Sequence, residues 1–554
     1  MRAITLKRQV GLIALIILVV NVFSFFYYLR IDFTSDNRFT LSGLSSTVIN
    51  SINDPMKVTV YLKGDLNGEF KRLQRETAFM LEELHIENRK IIYEFVDPLE
   101  DNGDAQQVAN MFYQSGMMPE NINEKKNGKL TKTTVFPWAV IEYKGKEEKV
   151  HLLNKKMNVG VEEMINSSIQ NLEYVFTNAI NKLSRERTKK IAVLRSKGEL
   201  SDRYLTDFLT KVGEYYLIAP FSLDSVAAKP QVVYDELKKF DAIISAKPKE
   251  KFTDEEVYVL DQFIMNGGRA LWMLDNVAIE KDSLKGTGSA VALPRDLNLL
   301  NLFFKYGVRI NYELINDVYS APIYLSTGSN ENTQLNPYPW FYEPLVQPQN
   351  THPIVTNINA VKFEFANSID TLKNNVKKTV LLQSSESSRA EGTPREISLD
   401  IINSRPTPDM YPEGNYPLAV LLEGEFTSVY KDRITPIELE SHKDKSIYTM
   451  QIVIADGDIA KNEIQRGKPL SLGFDRFTGD TYGNKVFLIN ALNYMLGDEE
   501  LLELRNRIIN IATLDDTKVE SNRWFYQFLN LVGTTAIIIM LGWAFSWYRK
   551  RRLR

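Results

Sequence analysis

Two long uncharged runs bracket this chain, and they limit its fold more than anything between them. Val10 to Leu29 reads VGLIALIILVVNVFSFFYYL, and Trp524 to Tyr548 reads WFYQFLNLVGTTAIIIMLGWAFSWY. At 1.5 Å of rise per residue the first covers about 30 Å, the thickness of a bilayer's hydrocarbon core. Aromatic residues stand at both margins of the second, where rings favour the headgroup level. Each run is therefore expected to be a transmembrane helix, at 10–29 and at 524–548. Arg2, Lys7 and Arg8 precede the first run, and Arg549, Lys550, Arg551, Arg552 and Arg554 follow the second. Short positive flanks stay in the cytoplasm. The tails 1–9 and 549–554 are thus both expected inside, with residues 31–523 folded outside the cytoplasm. The stretch after the first run, SFFYYLRIDF, has no small-x-small cleavage site, which predicts an uncleaved anchor rather than a signal peptide. Two helices alone cannot make a solute pathway, so any transport needs a partner.

The region between the runs is too long for one core. At roughly 150 residues per domain, 554 residues suggest about three to four. The chain has 67 basic against 70 acidic residues. Eight of the basic ones sit in the two tails, so the bulk is mildly acidic, which argues against a nucleic-acid partner bound by phosphate neutralisation. There is no cysteine. That removes disulfides, thiolate nucleophiles, Cys-ligated zinc, iron–sulfur clusters and an acylated-Cys anchor together.

Periodicity predicts an α/β chain. Thr40 or Ser42 can cap a short helix bearing Leu41, Leu44, Val48 and Ile52, ended by Asp54-Pro55. MKVTVYL (56–62) alternates as a strand. EFKRLQRETAFMLEELHIEN (69–88) is helical, with Phe70, Leu73, Met80, Leu81 and Leu84 inward, and KIIYEFVDP (90–98) is a strand again. This is a βαβ unit. A strand pair at 135–143 and 148–153 and a helix over 161–183 complete a small α/β domain from 31 to 185. SRERTKK (184–190) reads as a linker. A second series follows over 190–510. KIAVLRS, YYLIAP, DAIISAK and RALWMLD read as strands, alternating with helices at 202–214, 232–238 and 253–265. Thr253 caps the last of these helices, and Gly267-Gly268 ends it. Val/Ile/Leu-rich strands alternating with helices predict a parallel sheet covered on both faces. A helix at 298–306 and the strand VRI continue this pattern. A β-rich part spans 345–480, with strands at 361–368, 378–385, 417–430 and 448–458, and the chain returns to helix over 484–507. Segments 281–296, 330–344, 384–396 and 403–417 read as loops.

Motifs for chemistry are sparse. No GxxxxGK[ST] cradle exists for ATP, so an ATPase would be a separate subunit. His85, His151, His352 and His442 are scattered with no HExxH, and read as surface or packing residues. No GxSxG elbow marks a serine hydrolase. Asp456-Gly457-Asp458 ends the apolar strand QIVIA, where open α/β sheets place ligand groups, and two carboxylates can hold a hard cation. The same residues also make an ordinary solvated turn, which is the favoured reading. Tyr338 and Trp340 in NPYPWFYEP (336–344) could dock a partner or stack on a sugar, though rings tucked against the body are the commoner outcome. No cofactor or metal is expected.

The ordered motifs resemble a known family. NRFTLS (37–42), KVTVYL with FKRLQRETAFMLEEL and YEFVDP (57–98), THPIVTNI (351–358), IVIADGD (452–458) and TYGNKVFLINALNYMLGDEELLELRNR (481–507) resemble the GldG family. These are the gliding-motility-associated ABC transporter auxiliary proteins of gliding Bacteroidota. Phe39 stands where the related signature has Tyr. The resemblance implies a noncatalytic inner-membrane subunit, mostly periplasmic, that contacts membrane lipid. Its implied partners are a separate ABC ATPase subunit, a multispanning ABC membrane subunit and a periplasmic protein or ligand; its implied role is gliding and adhesin secretion. It also implies a middle domain similar in fold to glutamine-amidotransferase-like proteins. That enzyme class needs a nucleophilic Cys, which is missing here; the alternative readings are an export-type ABC auxiliary subunit unrelated to movement and a membrane-tethered enzyme on carbohydrate or peptide with a centre made of carboxylates.

Overall fold

The computed structural model describes residues 11–12, 15–19, 40–100, 105–126, 129–157, 159–327, 334–497, 499–506 and 516–552. Most of the first apolar run, and NRFTLS up to residue 39, lie outside the described residues. The chain divides into two compact units, Phe39–Arg507 and a second formed by Met1–Arg38 with Ile508–Arg554.

Within the large unit, the first sheet grows from the βαβ segment. Ser42 caps the helix Gly43–Asn50, its hydroxyl accepting the Ser45 N–H at 3.1 Å. Strand β1 (Met56–Val60) pairs in parallel with β2 (Ile91–Phe95) across helix α1 (Gly68–Glu87). Asn67 caps α1 through the Phe70 N–H, at 3.0 Å. Phe70, Leu73, Leu81 and Leu84 recur at helical spacing, so one face of α1 is buried. The antiparallel strands β3 (Trp138–Tyr143) and β4 (Lys146–His151) complete the order β2-β1-β3-β4. Helix α2 (Val161–Ser184) packs Ile165, Leu172, Phe176 and Ile180 into the same core as Val58, Val60 and Ile141.

The larger sheet has seven strands. Strands β5 (Lys190–Leu194), β6 (Leu217–Phe221), β7 (Ala242–Ala246), β8 (Arg269–Met273), β9 (Lys377–Gln383), β10 (Pro417–Thr427) and β11 (Lys445–Ile454) lie in the order β6-β5-β7-β8-β11-β10-β9. The five from β6 to β11 are parallel; β10 pairs antiparallel with β11, and β9 antiparallel with β10. Successive residues point to opposite faces, so each central strand feeds two cores. Ile191, Ile244, Leu271 and Ile452 meet helices α3 (Asp202–Tyr215) and α7 (Asn484–Leu496) on one side. Ala192, Ile243, Trp272 and Val453 meet α4 (Pro230–Leu237), α5 (Asp254–Met265) and α6 (Leu300–Tyr306) on the other. The chain is thus mixed α/β, and its central parallel strands are buried on both faces.

Several expectations need correction. Of 361–368 only Val361–Lys362 is strand; Phe365 turns at φ +53° and the backbone leaves the ladder. Gly497, at φ +94°, splits the 484–507 segment into Asn484–Leu496 and Glu499–Arg505. Segments read as loops contain short strands, at Ser289–Pro294, Gln334–Tyr338, Ser388–Gly392 and Arg395–Ser398. The polar hairpin Glu120–Lys126 with Lys129–Val135 carried no alternation to announce it.

Among the described residues of the second unit, one helix is long and apolar enough to cross a membrane, Arg523–Arg551; its most apolar stretch has a mean hydropathy of 1.9 and none of it is buried. Its Leu529–Gly533 turn is a π-helix. The Thr534 and Thr535 hydroxyls bond to the carbonyls of Asn530 and Leu531.

Candidate functional site

The carboxyl ends of the parallel strands converge on buried charge. Directly after β7 comes Lys247, fully buried and at φ +56°, a left-handed conformation, at the start of the 247–253 connection to α5. After β8 comes Asp275, and after β11 come Asp456, Gly457 and Asp458. The Lys247 ammonium pairs with Asp458, with Glu280 at 3.0 Å and with Asp275 at 3.5 Å. Burial lowers the Lys247 pKa, but Asp275, Asp458 and Glu280 outweigh it and raise the value, so the amine stays charged. An ammonium held in this way has no free lone pair for nucleophilic work.

Gly457 makes this packing feasible. A Cβ there would lie 2.5 Å from Cγ of Lys247, 2.7 Å from its Cβ and 2.9 Å from a carboxylate oxygen of Asp275. Its own N–H donates to the other Asp275 oxygen. Asp456 is fully buried, and its two oxygens accept the Glu364 and Asp458 N–H groups, each at 2.7 Å. Burial and the neighbouring Asp275 and Asp458 charges push its pKa well above the usual range. Asp458 is pushed up to about 6, by burial first and by Glu364 and Asp275, against the lowering effect of Lys247 and Lys461.

Glu280, Asp456 and Asp458 of this cluster line the floor of a cleft of about 990 Å³. Lys461 bridges Asp458 at 2.9 Å and Glu364 at 3.6 Å. Glu343 pairs with Lys281 and, at 3.4 Å, with Lys362. Burial would raise the Glu364 pKa, yet Lys461, Lys281, Lys362 and Lys247 hold it down at about 2. Leu200 and Tyr204 line the cleft beside β5. The sheet order reverses direction there, which is where open α/β sheets bind ligands.

The sequence-based site residues separate. Asp456 and Asp458 come together in the cleft floor, but not as a solvated turn, because both are buried. No group of metal-binding side chains forms among the described residues. The positive charge between the carboxylates is the Lys247 ammonium. Trp340 is fully buried, packed on Tyr342 and Phe365, so its ring belongs to the core. Tyr338 is half-buried against the same cluster. His151 is half-buried against Trp138, and the loss of solvent pushes its pKa down to about 3. Lys247 and Asp275 were missed, although a signal existed. AIISA, ALWML and QIVIA are apolar strands, each followed within two residues by a lone charge.

The fold and site define a mixed α/β protein with an ion-locked cleft at the ends of its parallel strands. A family profile described as "ABC-type uncharacterized transport system" matches residues 188–491, more than half of the chain. The chain belongs to this family, which is one of auxiliary components of ABC-type transport systems. A second profile, described as a domain of unknown function, matches residues 35–142. An uncharacterized protein of Borreliella burgdorferi is 23% identical over 412 residues, covering 73% of this chain and 74% of that one. The solved "mmIFT52 N-terminal domain" is similar at a TM-score of 0.33 and 14% identity, over 56% of this chain and 98% of that one, too loosely to define a fold.

Proposed function

We propose that the chain is a noncatalytic, membrane-anchored auxiliary subunit of an ABC transport complex, of the GldG kind, serving gliding motility and adhesin secretion. The observation that carries this reading is the helix Arg523–Arg551. Its apolar surface has no partner in the described residues, and membership in a transport-system family supplies one. The helix packs on a multispanning ABC subunit, where Gly533 and Gly542, each with open space at Cβ, allow close approach. A second span at 10–29, cytoplasmic termini, a periplasmic α/β domain at 31–185 and an auxiliary domain at 190–510 complete the architecture. A separate ATPase drives the complex from the cytoplasm, and the cleft takes a periplasmic ligand or protein segment. Lys247 supports the absence of catalysis: it stands at the carboxyl end of β7, but its amine is locked among carboxylates.

The test is a mild-detergent pull-down of the full-length chain beside a variant lacking residues 524–554. Recovery of an ABC ATPase and a multispanning protein, lost in the variant, is the expected result; recovery of neither overturns the reading. Intact gliding in a deletion strain, with the complex still recovered, would reassign the subunit to an export system unrelated to movement.

A further inference from the structure

Lys362 and Glu364 sit side by side in the cleft with unmet hydrogen-bonding capacity. The segment Val361–Glu364 alternates: Val361 and Phe363 are fully buried, while Lys362 and Glu364 are half-buried and line the cleft. The Lys362 ammonium has three protons to donate. Among the described residues its one ion-pair partner is Glu343, at 3.4 Å. The Glu364 carboxylate accepts no hydrogen bond from any described residue, and its ion pair with Lys461, at 3.6 Å, is longer than a hydrogen bond. A donor and an acceptor, both charged and both under-used, thus face the same space.

The cleft also has an apolar part. Tyr324 stacks on Phe477 with ring centroids 4.0 Å apart, and Leu335 is 56% exposed beside them. Because lysines and carboxylates alternate through the floor, no excess of either sign selects an anion or a cation. A phosphate would meet Glu364 and Asp458, and a metal ion would meet Lys362 and Lys461. The chemistry that fits is a neutral or zwitterionic backbone carrying an acceptor next to a donor, with an apolar side chain. We propose that this cleft binds a short peptide segment, whose C=O and N–H groups, or termini, engage Lys362 and Glu364 while an apolar side chain rests on Tyr324 and Phe477. The volume is at the upper end of ligand pockets, roughly 300–1,000 Å³, and so admits several residues. This inference rests on the cleft being a binding site rather than a catalytic one.

The experiment is saturation-transfer NMR on the full-length chain in detergent, with Ala-Phe-Ala, Ala-Ala-Ala, free phenylalanine and maltotriose as probes. Transfer to Ala-Phe-Ala, strongest on its ring, is expected. Binding should weaken roughly ten-fold or more in Glu364→Gln, the loss of a charge-assisted hydrogen bond. Phe477→Ala should weaken it as well, and that ring is 40% exposed, so the variant tests binding without disturbing the fold. Transfer to neither tripeptide, equal transfer in both variants, or transfer to phenylalanine or maltotriose alone would overturn the proposal. Recovery of the transporter partners by the Glu364→Gln chain tells the two failures apart. If partners are retained and peptide binding is absent, only the ligand class falls.

Discussion

Asp458 carries the pH behaviour of the cleft floor at the residue scale. Its carboxyl faces Lys247, Lys461, Glu364, Asp275 and Asp456, and its pKa rises from an ordinary 3.8 to about 6 on folding. Between those two values the folded chain holds a proton that the unfolded chain has lost. Stability from this group is therefore fully present below about pH 4 and is lost as pH rises through 6. The loss is on the order of 1–3 kcal/mol. In Asp458→Asn the acceptor remains but the titration does not, so the decline in thermal midpoint between pH 4 and 6 should become shallower, the buried Asp456, also raised, supplying the rest. An unchanged slope would assign that limb to another group. The sequence marked Asp456 and Asp458 by their place at a strand end, and that much of the site was legible. Their burial was not, because it depends on Lys247, which lies 211 residues from Asp458. A charge directly after an apolar strand marks Lys247 as a candidate, but no local pattern says which carboxylates it will meet.

At the scale of elements, local signals succeeded where an element carries its own boundary chemistry. Helix α5 begins with a capping box. The Thr253 hydroxyl accepts the Glu256 N–H at 3.3 Å, and the Glu256 carboxylate accepts the Thr253 N–H at 2.8 Å. The other Glu256 oxygen pairs with Lys197, at 2.8 Å and almost fully buried, so the cap also ties α5 to the end of β5. Thr253→Ala should cost about 1 kcal/mol, the ordinary loss of a cap. Glu256→Ala keeps the Thr253 hydroxyl bond but removes the reciprocal half of the box and strands a buried ammonium, and should cost about 3–5 kcal/mol. Thermal unfolding of the two variants checks the ratio; equal losses would mean that the Lys197 pair adds nothing. The parallel strands were legible because burial on both faces demands continuous Val, Ile and Leu. The short strands Ser289–Pro294 and Arg395–Ser398 were not. They pair across roughly a hundred residues, and each is held by its partner rather than by its own pattern.

At the scale of the large unit, the two sheets are joined by more than the linker at 184–190. Lys182 on α2 donates to Glu148 on β4 and to Glu214 on α3, both at 2.7 Å, with the lysine side chain only 6% exposed. Burial lowers its pKa, and the neighbouring Tyr215, Glu214 and Glu148 more than reverse that, so the ammonium persists. Beside it the Tyr215 hydroxyl meets the Asn178 side chain, at 3.1 Å. Arg505 donates to the Asn357 carbonyl at 2.9 Å and lies over the Tyr174 ring of α2. These contacts tie the small sheet to both ends of the larger α/β part, which is how motion at one could reach the cleft in the other. Lys182→Met keeps the length and apolar stem but leaves two carboxylates facing each other. Both are partly solvated, so the loss is on the order of 1–3 kcal/mol rather than the full value of a buried pair. The small sheet should then unfold separately, giving two thermal transitions, and trypsin should cut sooner after the exposed Arg185 and Arg187. Tyr215→Phe removes only the neighbouring hydrogen bond and should keep a single transition. If Lys182→Met also keeps one transition and resists trypsin, the coupling runs through Arg505 and the apolar packing of α2 instead.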